Sequence, residues 1–342
     1  MAAGVQTTAN TTGLWSDLTL LAPIVWVEGA RIAVEELQPV MDLYDVDPLN
    51  EFNRDYSSIA ESGFGNVVTE GADYQAGFNN QGDNLSLTVV KRGAMFTITE
   101  DLVDGNKYRE IRIGMQDLGG RLFRSRARDA THVGFTFAFS SSYVDADGRT
   151  VTSTAIAKGS EATFADTHTM GDASTFDNNL ADTPIAEASL RNLEDLTVDF
   201  ADENGNLVSW GLGGKVLVTG MDVGMQHAGL RLTNQAWQYQ NSNRDINPFA
   251  DQRAHGGAFT HLPLFFLSTT AAGGRDTTKE KYYFILDRAK AKNSMIFGNH
   301  TNPTPMGPYR DIYNAGHLWQ SKTRYDIGIL YAHHGAGCPA TS

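Results

Sequence analysis

The stretch Met95-Phe-Thr-Ile-Thr-Glu-Asp-Leu102, followed by Asp104-Gly-Asn106 and Lys107-Tyr-Arg-Glu-Ile-Arg-Ile-Gly-Met-Gln-Asp-Leu118, holds the most legible change of structure in the chain. Met95 to Ile98 reads as a strand and Asp104-Gly-Asn106 as a turn. From Lys107 onward Tyr108, Ile111, Met115, Leu118 and Leu122 recur three and four apart, which is one buried stripe of a helix. The opposite face is basic, because Lys107, Arg109, Arg112, Arg121, Arg124, Arg126 and Arg128 outnumber Glu110, Asp117 and Asp129. Gly114, Gly119 and Gly120 each cost about 1 kcal/mol relative to Ala inside a helix. They point to a close backbone approach or a bend. Beyond them Val133, Phe135, Phe137 and Phe139 alternate, and periodicity leaves open whether the helix continues.

Upstream, Val67-Val68-Thr69 and the alternating run Leu85 to Val90 flank a polar tip, Asn79 to Asn84, and predict a long hairpin. Gly71 and Gly77 weaken its interior, and a two-stranded ribbon this long has few partners to shield it. Support from a neighbouring molecule is expected. Before the ribbon the chain is acidic: Asp17, Glu28, Glu35, Glu36, Asp42, Asp45, Asp47, Glu51 and Asp55 face only Arg31 and Arg54. Its apolar islands, Trp15 with Leu18, Ile24 to Val27, and Ile32 to Leu37, do not form one long periodic element. They predict an arm that docks in pieces, with an ordinary N-terminal subdomain as the alternative.

Downstream, Ser140 to Asp182 is polar and too long for a bare connection, so it predicts an excursion with short strands and a turn at Asp145-Ala-Asp147-Gly148. A helix capped by Thr183 with Pro184 at its first position is predicted, burying Leu190, Leu193, Thr197 and Phe200 and stopping at Asn204-Gly205. Lys215 to Val218 reads as a strand and Asp222 to about Leu232 as a helix. Further strands are predicted at Phe259–Leu267, Tyr282–Leu286, Ser294–Phe297 and Trp319–Tyr331. The class is mixed α+β.

With 342 residues, 41% hydrophobic and 20% charged, the composition is globular and excludes disorder and fibre. No run approaches the roughly 20 apolar residues that span a bilayer, and a soluble, intracellular chain is expected. The one cysteine, Cys338, excludes an intrachain disulfide and a Cys-based zinc site. A balance of 27 basic to 40 acidic residues opposes wholesale neutralisation of a phosphate backbone. Gly211-Leu-Gly-Gly-Lys215 hints at a phosphate loop, but Val216 stands where Ser or Thr would hold magnesium, so a strand-initiating turn is the better reading. The histidines are scattered, with His333-His334 and the pair His255 and His261 the only close ones. Neither a G-x-S-x-G elbow nor an H-E-x-x-H helix occurs. No catalytic, cofactor-binding or metal residue is assigned.

The order of these pieces resembles the major capsid protein of tailed bacteriophages, the Hong Kong 97-type shell fold. An arm, a hairpin, Met95 to Leu102 with Asp104, and then a long helix are similar to that family's arm, extended loop and spine helix. Ser189-Leu190 through Asn204-Gly-Asn206, Lys215-Val-Leu-Val-Thr-Gly220, and the helix through Ala228 and Leu232 resemble its entry into the axial domain. The resemblance is strongest from about Asn84 to Leu232. Thr219-Gly220 departs from it where relatives frequently carry prolines, and no long charged helical segment precedes the arm.

The resemblance implies an arm over 1–62, an extended loop over 63–98, and a peripheral domain over 99–185 with a spine helix at about 107–141. It implies an axial domain over 186–300 and, over 301–342, return strands to the peripheral domain and the C-terminus. The implied function is structural rather than enzymatic: a virion protein, assembled in the host cytoplasm, that tiles an icosahedral shell of hexamers and pentamers around double-stranded DNA. Its partners would be its own copies, the packaged DNA by non-specific contact, a portal and a decoration protein, with no membrane and no cofactor. Because the chain begins at Met1 with nothing clipped, a separate scaffolding protein is expected, or none. Candidate interface residues are Trp15, Asp42, Asp45, Asp47, Phe78, Asn79, Asn80, Leu85, Leu87, Arg121, Arg124, Arg126 and Arg128. The acidic arm is expected to pack on the arginine face of the helix within or between subunits, and DNA is the rival partner of that face. An encapsulin-type shell around protein cargo, and a hydrolase without a recognisable motif, are the alternative functions.

Overall fold

The computed structural model of the chain describes residues 8–59, 81–99, 101–102, 107–152, 161–169, 175–202, 204–234, 258–310 and 316–341. In chain order, helix α1 (Thr8–Met41) leads to strands β1 (Asp45–Pro48), β2 (Asn53–Ile59), β3 (Gln81–Thr88) and β4 (Val90–Ile98). Helix α2 (Tyr108–Thr131) runs into a π-helical turn, His132–Thr136. Four short strands follow: β5 (Ser142–Val144), β6 (Thr150–Thr152), β7 (His168–Thr169) and β8 (Thr175–Phe176). Then come α3 (Glu187–Val198), β9 (Lys215–Thr219), α4 (Val223–Asn234), β10 (Thr260–Pro263) and β11 (Tyr283–Asp287). The chain finishes with α5 (Arg288–Ser294), β12 (Met295–Arg310), β13 (His317–Ile329) and β14 (Gly335–Cys338).

These elements fall into two units. One is built from Met1–Gln38, Val89–Arg128 and Asn299–Tyr325. Its core joins Ala22, Trp26 and Ala30 of α1, Ile98 of β4, Ile111, Met115 and Leu118 of α2, and Trp319 of β13. The α2 residues are the stripe read from the sequence. β4 pairs antiparallel with β13 from Val90↔Tyr325 to Ile98↔His317. The four-stranded sheet to which they belong has the order β1-β12-β13-β4.

The other unit takes Pro39–Thr88, Asp129–Gly298 and Asp326–Ser342. Its sheet has the order β10-β9-β11-β14, with β9 and β10 parallel and the other pairs antiparallel. All five residues of β11 are buried. Phe135, Phe139 and Phe164 gather around Phe284 of that strand at ring-centroid distances of 5.0–5.4 Å. This cluster explains the alternation after α2: Phe135 and Phe139 line a core beyond the helix. The helix therefore ends at Thr131, short of the 107–141 span expected, and the chain continues as a π turn.

Two further expectations need correction. Residues 8–41 form a single 34-residue helix, where separate docked pieces were expected. Pro23, Gly29 and Pro39 break the helical pattern of the sequence, yet helix runs through all three because its buried side, Ala22, Trp26, Ala30, Ala33 and Leu37, keeps a spacing of three and four. The partner of β3 is Asn53–Ile59, paired from Asn53↔Thr88 to Ile59↔Gln81. Val67 to Thr69 and the expected tip residues 79 and 80 lie outside the described residues. At the chain's end β14 adds to the second unit's sheet as an edge beside β11, with Gly335 and Gly337 leaving no room for a Cβ against Ile285 and Phe284.

Candidate assembly surfaces

The first candidate surface is the crossing of α1 on α2. A Cβ on Gly29 would lie 2.0 Å from the Gln116 carbonyl oxygen, and one on Gly119 would lie 2.1 Å from that of Trp26. The two helix backbones therefore touch, which only glycine permits at these positions. Ion pairs flank the crossing. Arg112 Nη2 reaches Glu28 Oε2 at 3.0 Å, Gln116 Nε2 donates to the same carboxylate at 2.9 Å, and Arg124 Nε lies 3.4 Å from Glu36 Oε2. The Arg112 hydrogen bond, followed by that of Gln116, holds the Glu28 carboxyl below its usual range. Part of the acidic arm thus meets the basic helix face within one chain, through Glu28 and Arg112, which were not among the candidate residues.

The expected interface residues divide sharply. Arg124 also lies 3.5 Å from Asp117, and Arg121 pairs with Asp117 at 3.8 Å along its own helix. Arg128 is half-buried in the last turn of α2. Arg126 is not a surface group. It is 5% exposed and donates from Nη2 to Asn299 Oδ1 and the Thr301 carbonyl, both at 2.8 Å, and to Thr323 Oγ1 at 2.6 Å. Nη1 donates to Asn302 Oδ1 at 3.2 Å, and the guanidinium carbon lies 5.4 Å from the Tyr325 ring centre. Burial pulls this guanidinium down to about 10. Its place in the seven-cation run Lys107 to Arg128 disguised it: it sits four residues beyond Leu122, on the buried stripe.

Leu85 and Leu87 are likewise core residues, 2% and 1% exposed, packed with Ile296 and Leu330 at the base of the ribbon. Gly298 and Gly328 make the space, since a Cβ on Gly328 would fall 2.7 Å from Leu87 Cδ2. These two leucines face inward because their pairing with Tyr56 and Arg54 sets that side of β3 against the unit's core.

Asp42 and Asp45 are exposed, and Asp47 is half-buried, accepting from Tyr56 Oη at 2.5 Å and paired with Arg54 at 3.0 Å. Burial, and then the Asp47 hydrogen bond, push the Tyr56 hydroxyl well above its ordinary range. Trp15 lies on α1, in the part where only the backbone is described. Phe78, Asn79 and Asn80 lie outside the described residues.

Among the described residues no group of three His, Cys, Asp or Glu could hold a metal ion, and no helix is long and apolar enough to cross a membrane. A surface groove of about 600 Å³ along α4 is lined by Gly224, His227, Ala228, Leu230, Arg231 and Asn234, with no carboxylate in that lining to pair with His227. The glycine loop before β9 does form an anion niche, but its occupant is internal. Asp287 Oδ2 accepts from the N–H groups of Gly211 at 2.8 Å and Gly213 at 3.3 Å, while Oδ1 caps α5 through Ala289 and Lys290.

No family model and no curated protein matches this sequence. Solved structures do match. A chain from Gordonia phage Cozz superposes with a TM-score of 0.51 at 12% identity, covering 89% of this chain and 86% of that one. The capsid of a native GTA particle superposes at 0.50 with 11% identity, covering 89% and 90%. Coverage of nearly the whole of both chains shows the architecture: this is an α+β chain with the Hong Kong 97-type capsid fold.

Proposed function

We propose that the chain is the major capsid protein of a tailed bacteriophage, a structural virion protein that assembles in the host cytoplasm into an icosahedral shell around double-stranded DNA. One observation carries this reading: a solved capsid shares the fold over about nine-tenths of both chains. Function in such a chain is geometric. Subunits in hexamers and pentamers meet head to tail, so each copy must offer two different, mutually complementary surfaces. Overlapping interfaces beyond about 2,000 Å² are typical of permanent assemblies, while each local contact can stay weak enough for misplaced subunits to leave. A net charge of −13 suits an interior that holds DNA without gripping it. A scaffolding protein, a portal and a decoration protein are the partners this reading adds, and the arm and the ribbon are its contacts with adjacent copies.

The test is expression of the full chain, alone and with the products of neighbouring genes, followed by sedimentation and negative-stain microscopy. Closed particles support the reading, and nucleic-acid absorbance in those formed with a packaging system separates a DNA shell from a protein-cargo compartment. A chain that stays a monomer or small oligomer under every condition refutes it.

A further inference from the structure

The chain's charge is distributed unevenly. β4, β12 from Asn299 onward, and β13 carry Lys91, Arg92, Arg310, Lys322 and Arg324 against one carboxylate, Asp326 in the last part of β13, which accepts from the Thr88 N–H at 2.9 Å and lies 4.0 Å from Arg149. This is the sign opposite to that of the whole molecule. The β4–β13 register sorts these cations by face. Residues paired directly across antiparallel strands point to the same side, so Phe96–Trp319, Ala94–Ser321 and Arg92–Thr323 form the inner face. Lys91–Arg324, Gly93–Lys322 and Met95–Gln320 form the outer one. Lys91 and Arg324 therefore stand opposite each other as like charges, with Lys322 one pair along. Among them Met95 is 62% exposed, an apolar side chain in a cationic field.

The complementary surface is the corner from Asp42 to Asp55. It holds Asp42, Asp45, Asp47, Glu51 and Asp55 against the single cation Arg54, which pairs with Asp47. Asp42, Asp45, Glu51 and Asp55 are exposed, and two exposed apolar side chains, Val46 at 46% and Phe52 at 58%, stand among them. Each surface thus pairs one sign of charge with apolar area, and the signs are opposite.

We propose that the outer face of β4 and β13 in one copy receives the acidic corner Asp42–Asp55 of a second copy. The inference rests on the shell reading, because a face that accepts a different face of the next copy is heterologous and propagates into rings. Opposed charges would set the register and speed encounter, and Met95 with Val46 and Phe52 would supply the apolar area.

The experiment uses the full chain under conditions where wild type forms particles. K91E/K322E/R324E and D42K/D45K/E51K are each expected to lower particle yield about tenfold or more at 0.15 M salt. The variant that carries all six changes is expected to recover most of it, because the attraction is restored with its signs exchanged. The neutral variant K91Q/K322Q/R324Q, which keeps the fold if reversal does not, is expected to give an intermediate yield that depends less on salt than the wild type's, which falls as salt rises. Wild-type-like yield from both reversed variants overturns the inference and leaves the shell reading intact. Loss of packaged DNA at unchanged yield from K91E/K322E/R324E assigns the basic face to nucleic acid and overturns it too. Failure of the six-fold variant to recover, with its subunits folded, also overturns it. A wild type that never assembles removes the shell reading, and the inference with it.

Discussion

Replacing Arg126 with Met tests whether a buried cation organises the long strands of the first unit. Methionine fills much of the same volume, so packing changes little, while every hydrogen bond is lost. Five bonds to four acceptors disappear: Thr323 Oγ1 from two nitrogens, Asn299 Oδ1, Thr301 O and Asn302 Oδ1. The acceptors do not suffer equally. Thr301 O keeps the Thr323 hydroxyl at 2.8 Å, and Asn302 Oδ1 keeps Asn299 Nδ2 at 2.9 Å. Asn299 Oδ1 loses its Arg126 donor. Charged hydrogen bonds contribute about 1.5–3 kcal/mol each, so four acceptors give a gross gain of about 6 kcal/mol or more. The fall of the guanidinium to about 10, driven by burial, reports a cost of roughly 3 kcal/mol against it.

The balance leaves Arg126→Met less stable by about 3 kcal/mol. Arg126→Lys should fare little better, since an ammonium pays a similar burial cost with three donors and no planar fork. Because a chain of two units need not unfold in one step, hydrogen exchange resolved by peptide is the appropriate assay. Protection should fall in peptides spanning β12 from Asn299 and β13 through Tyr325, and persist in β9 and β11. Unchanged protection with Met at position 126 would mean that desolvation cancels the bonds, as replacement of buried charges by apolar groups can show. The clamp would then be a by-product of folding and not what organises the strands.

Other perturbations follow from the same geometry. Gly119→Ala puts a carbon about 2 Å from a carbonyl oxygen and should cost at least about 1–3 kcal/mol, read as protease release of α1, whereas Gly93→Ala, whose added carbon meets nothing closer than 3.6 Å, should be silent. Equal protease resistance in the two would refute backbone contact at the crossing. Asp287→Ala strands four N–H groups, from Gly211, Gly213, Ala289 and Lys290, and should lower stability by about 3–5 kcal/mol in a thermal melt; an unshifted midpoint rejects it. His334 is fully buried, and burial depresses its imidazole from 6.5 to about 4. The unfolded chain binds that proton first, so the stabilisation is complete above pH 6.5, declines by up to about 1.4 kcal/mol per pH unit as pH falls, and is gone near pH 4. Imidazole nitrogen spectra should show the neutral ring at pH 5 with its Nδ1 proton on the Tyr331 carbonyl, 2.7 Å away; titration near 6.5 would contradict this.

What the sequence revealed, and what it hid, has a common physical origin. The stripe Ile111, Met115, Leu118 and Leu122 was legible because the opposite face of α2 is charged, so burial and periodicity coincide. In α1 the exposed side bears Leu21, Ile24, Val27, Ile32 and Val34, apolar residues that erase the contrast on which periodicity depends. Its real signal was small residues, Ala22, Gly29, Ala30 and Ala33, which mark where another backbone comes close. Leu85 and Leu87 look like one side of a free ribbon because alternation gives a strand's two faces but not which face is covered. Only the partner strand settles that, and it lies more than twenty residues upstream. The glycine loop at 211–214 was correctly separated from a phosphate loop by the absence of a hydroxyl at Val216, but the carboxylate that fills its niche comes from Asp287, a distance that no local motif spans.

The charges obey the same division between what folding uses and what it leaves over. Glu28 with Arg112, Glu36 with Arg124, Glu194 with Lys215 and Glu280 with Arg275 are opposite charges brought together within a unit. Such pairs contribute at most about 1 kcal/mol each where exposed, so folding gains little from them and equally little would be lost by neutral residues. The segment Asp42–Asp55, with five acids to one base, and the strands β4, β12 from Asn299 and β13, with five bases to one acid, concentrate opposite signs on two surfaces. Under the contact proposed above, bringing one surface to the other adds a favourable term that is repeated at every subunit of an assembly, where a contribution too small to matter once becomes decisive.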